Sequence, residues 1–204
     1  DRISPEAPIP VLKVVRENRM LGGVGNVARN ATAMAANVSL IATVGDDEAG
    51  REVARLLEQQ PKLTANLLVL AGQCTTVKTR FIAHAQQLLR ADREEIVPAN
   101  ADTERRICAM IDSEIQDADV LVISDYGKGV VSAAVAAHAV KSAAAAGKPV
   151  VVDTKAIDLN AFRGASVMTP NARELSLASR LPAASDAEVA AAASKTIANF
   201  DLGA

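Results

Sequence analysis

Short runs of apolar residues alternate along this chain with longer, alanine-rich segments that have helical character. The apolar runs are nearly continuous, which is typical of strands covered on both faces of a parallel sheet. They cover residues 38–44, 120–124, 149–153 and 165–168. Helices are predicted over residues 26–36, 48–59, 103–115, 131–146, 172–179 and 186–198. This alternation predicts βαβ units and therefore an α/β fold.

Two regions depart from that rhythm. Residues 9–15 and 67–92 have partial period-two alternation, and a turn at Ala71-Gly72-Gln73 interrupts the second region. They predict a small antiparallel sheet that lies on the α/β core as a lid. Because no linker composition separates the parts, residues 1–204 are interpreted as one domain with these lid strands inserted in it.

Composition and charge exclude several classes of protein. With 24 acidic and 22 basic side chains, the net charge of -2 provides no basic surface, and 2% aromatic residues provide no stacking platform, so no nucleic-acid partner is expected. No apolar run approaches the roughly 18 residues of a membrane span. Cys74 and Cys108 have no metal-site spacing and favour free thiols in a reducing, cytoplasmic location. His138, within a predicted helix, is interpreted as structural.

A glycine-rich turn that runs into a helix, residues 21–30, is the first candidate for chemistry. Gly22 and Gly23 would let a ligand approach the backbone, and the helix N-terminus offers unpaired N–H groups. Asn26 adds an amide donor and acceptor of the kind that polyhydroxylated ligands require. A plain helix-entry turn is the alternative, with about even weight.

Two cations share one face of a predicted lid strand. Lys78 and Arg80 are two positions apart, so both project to the same side and could grip a phosphate or a carboxylate. Solvated strand charges are the alternative interpretation for this pair.

Polar residues follow each of three predicted parallel strands, where open α/β sheets bind their ligands. Asp125 and Lys128 follow the first, Lys155 follows the second, and Asn171 and Glu174 follow the third. Asp125 could accept hydrogen bonds from sugar hydroxyls, and Lys128 could neutralise phosphate charge. Glu174 could hold the water shell of Mg²⁺, although a helix cap formed with Asn171 is equally compatible with the sequence.

In this order, these motifs resemble those of the ribokinase-like (PfkB) carbohydrate kinase family. Residues 21–30 resemble its first signature, and Thr169-Pro170-Asn171-Ala172-Arg173-Glu174 resembles its TPNxxE element. Within the family, residues 75–80, 86–90 and 124–129 are similar to the branch that phosphorylates heptose 7-phosphate. The resemblance covers essentially the whole chain.

The resemblance implies a three-layer α/β/α core with a small antiparallel β lid, and an ATP- and Mg²⁺-dependent sugar kinase. The implied reaction converts D-glycero-D-manno-heptose 7-phosphate to its 1,7-bisphosphate, a step toward ADP-heptose and the lipopolysaccharide core. The implied substrate-binding residues are Gly22, Gly23, Asn26, Lys78, Arg80, Asp125 and Lys128. The implied nucleotide-binding residues are Lys155, Asn171 and Glu174, with Glu174 holding Mg²⁺ through water. A homodimer formed through the lid is also implied.

The family's N-terminal strand would precede Asp1, and its GAGD motif with the general base would follow Ala204. We therefore expect a kinase domain truncated at both ends, with no catalytic residue of its own and no activity in isolation. Two alternatives stay open. One is another PfkB sugar kinase, and the other is a non-catalytic module that binds a sugar phosphate or a nucleotide.

Overall fold

The computed structural model describes residues 2–3, 6 and 10–204. Its helices are α1 (Gly23–Ala33), α2 (Glu48–Glu58), α3 (Ala101–Glu114), α4 (Ala133–Ala145), α5 (Ala172–Ser179) and α6 (Asp186–Phe200), with one 3₁₀ turn at Asn160–Phe162. Its strands are β1 (Arg2–Ile3), β2 (Pro10–Val11), β3 (Val38–Gly45), β4 (Leu63–Leu70), β5 (Val77–Ala83), β6 (Gln86–Arg93), β7 (Leu121–Asp125), β8 (Val150–Thr154) and β9 (Val167–Met168).

The helices begin where the local sequence provides a cap. A side-chain oxygen accepts a backbone N–H of the first turn at five helix starts, and this satisfies donors that have no partner inside the helix. The capping residues are Asp47 for α2, Asn100 for α3, Ser132 for α4, Asn171 for α5 and Ser185 for α6. Helix α1 differs, because its N-cap is Gly22, which has no side chain to cap it.

Two parallel sheets carry the α/β part of the chain, which confirms the predicted fold class. Strands β3 and β4 pair in parallel from Val38 opposite Leu63 to Gly45 opposite Leu70. Strands β7, β8 and β9 form the second parallel sheet in that order. Helix α2 connects β3 to β4 and helix α4 connects β7 to β8, whereas a loop with the 3₁₀ turn connects β8 to β9.

The predicted lid boundaries are wrong in two places. Residues 67–69 were expected in the antiparallel sheet, but they belong to β4, which pairs in parallel with β3 and buries Leu68 in the core. Of residues 9–15, Pro10–Val11 forms a strand that pairs with Arg2–Ile3, residues 12–15 are irregular, and residue 9 lies outside the described residues. Within the described residues, the longer antiparallel pair is the hairpin β5–β6.

The hairpin β5–β6 has the antiparallel pairing that the sequence predicts for this region. Its register pairs Lys78 with Asp92 and Arg80 with Arg90, and a bulge lies between Phe81 and Ile82. Lys78 and Arg80 therefore share one face, as the sequence spacing predicts.

The core lies between the helices and one face of each sheet. Apolar side chains of α3 and α4 pack on β7 and β8, and those of α1 and α2 surround β3. Leu57 and Leu68 are 1% exposed, and burial of such a side chain contributes about 2 kcal/mol. On β7, Ile123 is 7% exposed whereas Val122 is 49% exposed. The expectation of cover on both faces is therefore wrong for β7 within the described residues.

Candidate functional site

The candidate site lies where β7 and β8 end side by side. Their parallel register places Asp125, the last residue of β7, opposite Thr154, the last residue of β8. The backbone N–H of Lys155 donates to the carbonyl of Asp125 at 3.1 Å, so the two outgoing loops stay in contact. Carboxyl ends of adjacent parallel strands are the usual place for ligands in open α/β sheets.

Asp125 is a buried carboxylate that accepts one hydrogen bond at each oxygen. It is 8% exposed, and its Oδ2 accepts from the Thr154 hydroxyl at 2.7 Å while its Oδ1 accepts from the Gly127 N–H at 2.8 Å. These donors fix the orientation of the carboxylate. Each oxygen keeps lone-pair capacity beyond its one bond, so Asp125 can also accept from a ligand hydroxyl.

The glycine-rich turn faces the loop after β7. Gly23 has a φ of 50°, which favours glycine, and a Cβ built at Gly23 would lie 3.7 Å from Cε2 of Tyr126. The ring of Tyr126 therefore lies over the start of α1. In the first turn of that helix, the Asn26 Oδ1 accepts from Nη2 of Arg29 at 2.7 Å. The structure thus brings Gly22 and Gly23 to the same end of the sheet as Asp125.

Lys155 and Glu174 form an ion pair at the ends of β8 and β9. Lys155 Nζ donates to Glu174 Oε1 at 2.7 Å. The hydrogen bond from Lys155, together with one from the Asn171 backbone, lowers the pKa of Glu174, and the same contact raises the pKa of Lys155. Both groups are therefore charged at neutral pH.

Glu174 also completes a capping box at the start of α5. Its Oε2 accepts from the Asn171 N–H at 2.9 Å, and the Asn171 Oδ1 accepts from the Glu174 N–H at 3.0 Å. The helix-cap alternative is therefore present in the structure. It uses one lone pair on Oε2 and leaves others on the same carboxylate, so it does not conflict with a water-mediated metal contact.

Two lysines from different parts of the chain meet on one carboxylate. Lys78 Nζ from β5 and Lys128 Nζ from the loop after β7 each lie 2.9 Å from Oε2 of Glu94. Lys78 also donates to Asp92 Oδ2 at 2.8 Å. The hairpin cation thus lies beside the loop that carries Asp125. No hydrogen bond or ion pair joins Arg80 to another candidate residue in the part of the chain that the structure describes.

His138 has a structural position away from these residues. Its Nε2 lies 2.9 Å from Oδ1 of Asp112, and the Ser142 hydroxyl donates to the same oxygen at 2.7 Å. In a nucleophilic serine triad the hydroxyl and the carboxylate bind different nitrogens of the imidazole. Here Ser142 Oγ and Asp112 Oδ1 lie near the same nitrogen, Nε2, at 3.3 Å and 2.9 Å, and the hydroxyl donates to the carboxylate. This cluster joins α3 to α4, in agreement with the structural interpretation of His138.

Three residues at the site went unassigned in the sequence. Thr154 orients Asp125, Tyr126 lies over Gly23, and Glu94 links Lys78 to Lys128. For Glu94 the only sequence signal is its spacing: it lies two positions from Asp92, so the two carboxylates share one face of an extended segment. The positions of Thr154 and Tyr126 depend on the pairing of separate loops.

Parallel strands with polar residues at their carboxyl ends, a glycine-rich helix start and a cationic hairpin define a ligand-binding α/β domain of the ribokinase-like kind. The chain belongs to the pfkB family of carbohydrate kinases, whose family model matches residues 2–201. In the described residues no helix has both the length and the apolar character that crossing a membrane requires.

Curated relatives named bifunctional protein HldE are 39–47% identical to this chain, and three of them serve as examples. Bifunctional protein HldE of Paramagnetospirillum magneticum is 47% identical over 197 residues, which are 97% of this chain and 40% of that protein. The protein of the same name from Caulobacter sp. is 45% identical over 97% of this chain and 40% of its own length. That of Acidiphilium cryptum is 42% identical over 100% of this chain and 42% of its own length. The chain therefore spans about two fifths of these relatives.

Solved structures share the fold at low sequence identity. Arabidopsis thaliana ribokinase, complexed with ribose and ATP, superposes with a TM-score of 0.66 and 14% identity, over 89% of this chain and 58% of that one. Phosphofructokinase-2 from Escherichia coli, in complex with fructose-6-phosphate, gives a TM-score of 0.66 and 20% identity over 89% and 59%. The described chain thus has the ribokinase-like fold.

Proposed function

We propose that this chain belongs to an ATP-dependent kinase that phosphorylates the anomeric hydroxyl of D-glycero-D-manno-heptose 7-phosphate. The observation that carries the proposal is the meeting of Lys78 and Lys128 on one anionic oxygen, next to the loop that holds Asp125. A sugar phosphate needs this combination, because its phosphate requires cations and its hydroxyls require a fixed acceptor. The choice of a heptose is supported by the sequence resemblance of residues 75–80, 86–90 and 124–129.

The sugar end of the proposed site has complementary donors and acceptors. Asp125 is held as an acceptor by Thr154 and Gly127, and the α1 N-terminus at Gly22 and Gly23 offers backbone N–H donors. Asn26 lies in the first turn of the same helix. We assign the sugar hydroxyls to these groups and the 7-phosphate to Lys78, with Arg80 as a second cation on the same hairpin face.

The nucleotide end is assigned to Lys155, Asn171 and Glu174, which follow β8 and β9. Phosphoryl transfer depends on positioning and on neutralising charge, and Lys155 would supply a cation to the ATP phosphates. Glu174 fits a water-mediated Mg²⁺ contact, because its lowered pKa keeps it ionised and its side chain is 19% exposed beside Asp153 and Lys155. When bound there, Mg²⁺ would neutralise phosphate charge.

A turnover assay tests the proposal directly. Full-length protein is offered ATP and Mg²⁺ with heptose 7-phosphate, ribose or fructose 6-phosphate, and ADP release is measured in a coupled assay. We expect ADP release with heptose 7-phosphate at a kcat/KM at least tenfold above the other two. Turnover of ribose or fructose 6-phosphate alone would assign the chain to another sugar specificity within the family. A protein that binds ATP or sugar phosphate without ADP release would be a binding module.

The Lys78→Ala variant adds a second measurement on the same substrate. If Lys78 binds the 7-phosphate, the variant raises KM for heptose 7-phosphate by roughly tenfold to a hundredfold, because a charge-assisted hydrogen bond is lost. The matched control is Lys62→Ala, which removes a lysine whose Nζ donates to the Ala35 carbonyl near the start of β4. An unchanged KM in Lys78→Ala would contradict the assignment of Lys78.

We also propose that the protein is cytoplasmic, where ATP and sugar phosphates are available, and that it forms a homodimer through the hairpin β5–β6. The support for the dimer is the apolar surface that the hairpin exposes, with Leu89 at 55% and Leu88 at 51% exposure.

A further inference from the structure

Glu94 lies at a position that an anionic ligand would also take. It follows β6, and its Oε2 accepts hydrogen bonds from Lys78 Nζ and Lys128 Nζ, both at 2.9 Å. Lys78 belongs to the hairpin, whereas Lys128 belongs to the loop after β7. One carboxylate oxygen therefore links two ammonium groups that come from sequence positions 50 residues apart.

The charges around Glu94 leave an excess of cations. Besides Glu94, Lys78 binds Asp92 at 2.8 Å, and Arg90 Nε binds the other oxygen of Asp92 at 3.0 Å. With Lys128 the cluster contains three cations and two carboxylates. Hydrogen bonds from Lys128 and Lys78 lower the pKa of Glu94, so its carboxylate is ionised at neutral pH. The cluster can therefore accept further negative charge.

Backbone packing holds the segment that follows Glu94 against the loop that carries Lys128. The Ala99 N–H donates to the Gly129 carbonyl at 2.9 Å. A Cβ built at Gly129 would overlap the Val97 carbonyl oxygen, and Gly129 has a φ of 89°, so only glycine allows this approach. The segment after Glu94 thus lies against the loop of Lys128. The contact between Glu94 and Lys128 is consequently set by the fold, with side-chain exposures of 28% and 31%.

We propose that Glu94 is a specificity-determining residue that occupies the anion position between Lys78 and Lys128 until the phosphate of a sugar phosphate displaces it. This inference rests on the proposed function for the identity of the ligand. A phosphate dianion carries two charges and three terminal oxygens, so it can bind both lysines at once and more strongly than one oxygen of a singly charged carboxylate. An unphosphorylated sugar has no group that can replace Glu94.

The proposed displacement gives the site selectivity at a cost in affinity. Every anion must compete with a carboxylate that is tethered a few residues away and therefore present at high effective concentration. Weak or singly charged anions lose this competition, whereas a phosphate dianion wins it. Removing the charge of Glu94 should thus increase affinity for phosphate and decrease the discrimination between phosphate and singly charged anions.

Binding of inorganic phosphate tests this without any turnover. Isothermal titration calorimetry of the full-length protein is carried out with phosphate at pH 8, where the dianion predominates, and with acetate as the singly charged anion. We expect Glu94→Gln to lower the Kd for phosphate about three- to tenfold, in keeping with the modest strength of two partly exposed ion pairs. The matched control, Glu95→Gln, removes the same charge at the next residue and should change the Kd less than twofold.

Equal decreases of the phosphate Kd in Glu94→Gln and Glu95→Gln would overturn the inference, because they would indicate a general effect of removing one negative charge. A weaker affinity in Glu94→Gln would also overturn it, since Glu94 would then position the lysines. Absence of phosphate binding in both the wild type and Glu94→Gln would do the same.

A double variant checks that the competition occurs at Lys128. In the Lys128→Gln background, Glu94→Gln should lose most of its effect on the phosphate Kd, because residues that share one site are not additive. If Glu94→Gln lowers the phosphate Kd in the Lys128→Gln background by as much as it does in the wild type, the inference is overturned. The proposed function fails separately: a protein that gains phosphate affinity in Glu94→Gln but does not phosphorylate heptose 7-phosphate would retain the inference and lose only the heptose assignment.

Discussion

At the scale of single residues, Thr75 connects the start of the hairpin to the core. Its hydroxyl donates to Asp47 Oδ1 at 2.7 Å and accepts from the Gly45 N–H at 2.9 Å, and its own N–H donates to Asp47 Oδ2 at 3.0 Å. Thr75 is 8% exposed. A single buried residue thus hydrogen-bonds both the Gly45 N–H at the end of β3 and the carboxylate of Asp47, which caps α2, just before β5 begins.

Thr75→Val should destabilise the protein. The substitution keeps the size of the side chain but leaves the Gly45 N–H without its acceptor, and an unsatisfied buried donor costs about 1–3 kcal/mol. The free energy of unfolding is measured by urea denaturation. The control is Thr76→Val at the neighbouring exposed position, where we expect a change below about 0.5 kcal/mol. Equal effects at the two positions would contradict this role of Thr75.

The hydrogen bonds between Thr75 and Asp47 also predict that the stability of the fold depends on pH. Burial acts to raise the pKa of Asp47, but the hydrogen bonds from Thr75 and Gly50 outweigh it, so the pKa is lowered in the folded protein. A lowered pKa stabilises the fold above the unfolded value of about 3.9, and the stabilisation is lost as the pH falls through the folded pKa. Between pH 7 and about pH 3, Thr75→Val should therefore lose less stability than the wild type. Urea denaturation of both proteins at several pH values across this range measures the free energy of unfolding. An equal loss of that free energy in the variant and the wild type would contradict the prediction.

The residues of the candidate site that directly follow a strand could be predicted from the sequence. Asp125, Lys155 and Asn171 each follow an apolar run, and that position alone is enough to place them at the carboxyl edge of a parallel sheet. Glu94 and Tyr126 were not predictable in this way. Their neighbours, Lys128 for Glu94 and Gly23 for Tyr126, depend on how loops distant in sequence pack together.

At the scale of elements, the tip of the hairpin contains an unfavourable turn. His84 and Ala85 connect β5 to β6 with φ values of 50° and 64°. A two-residue turn with both φ values positive matches the right-handed twist of the strands, but it favours Asn and Gly. Ala in this left-handed region costs about 1 kcal/mol.

Ala85→Gly should therefore stabilise the hairpin by about 1 kcal/mol. Amide hydrogen exchange reports local opening of an element, so the gain is measured as slower exchange in β5 and β6. The control, Ala83→Gly, places glycine in the paired strand and should speed exchange there. Faster exchange in Ala85→Gly would contradict the assigned strain.

Local sequence determined the helices better than the strands. The ranges of α5 and α6 begin at the predicted residues because Asn171 and Ser185 cap them through neighbours close in sequence. Strand β4 was assigned to the wrong sheet, since its sequence does not specify a partner. The partner is decided by α2, which returns the chain to lie parallel with β3.

At the scale of the whole molecule, the hairpin has two different faces. Lys78, Asp92 and Arg90 occupy one face and connect through Glu94 to the loop after β7. Residues Phe81 and Leu89 pair on the opposite face, where Leu89 is 55% exposed. The charged face thus belongs to the candidate site. The apolar face is available to a second copy of the chain, which is the basis of the proposed homodimer.

Leu89→Lys should convert the proposed dimer to a monomer. It places a charge on the apolar face, and burying that charge without a partner would cost more than the contact returns. Sedimentation velocity of the full-length protein at micromolar concentration measures the change. The control is Leu177→Lys on α5, where a leucine that is 45% exposed lies on a different element. The dimer should persist in the control. If wild type and Leu89→Lys have the same sedimentation coefficient, the prediction is contradicted, because the side chain at position 89 then lies outside any subunit contact.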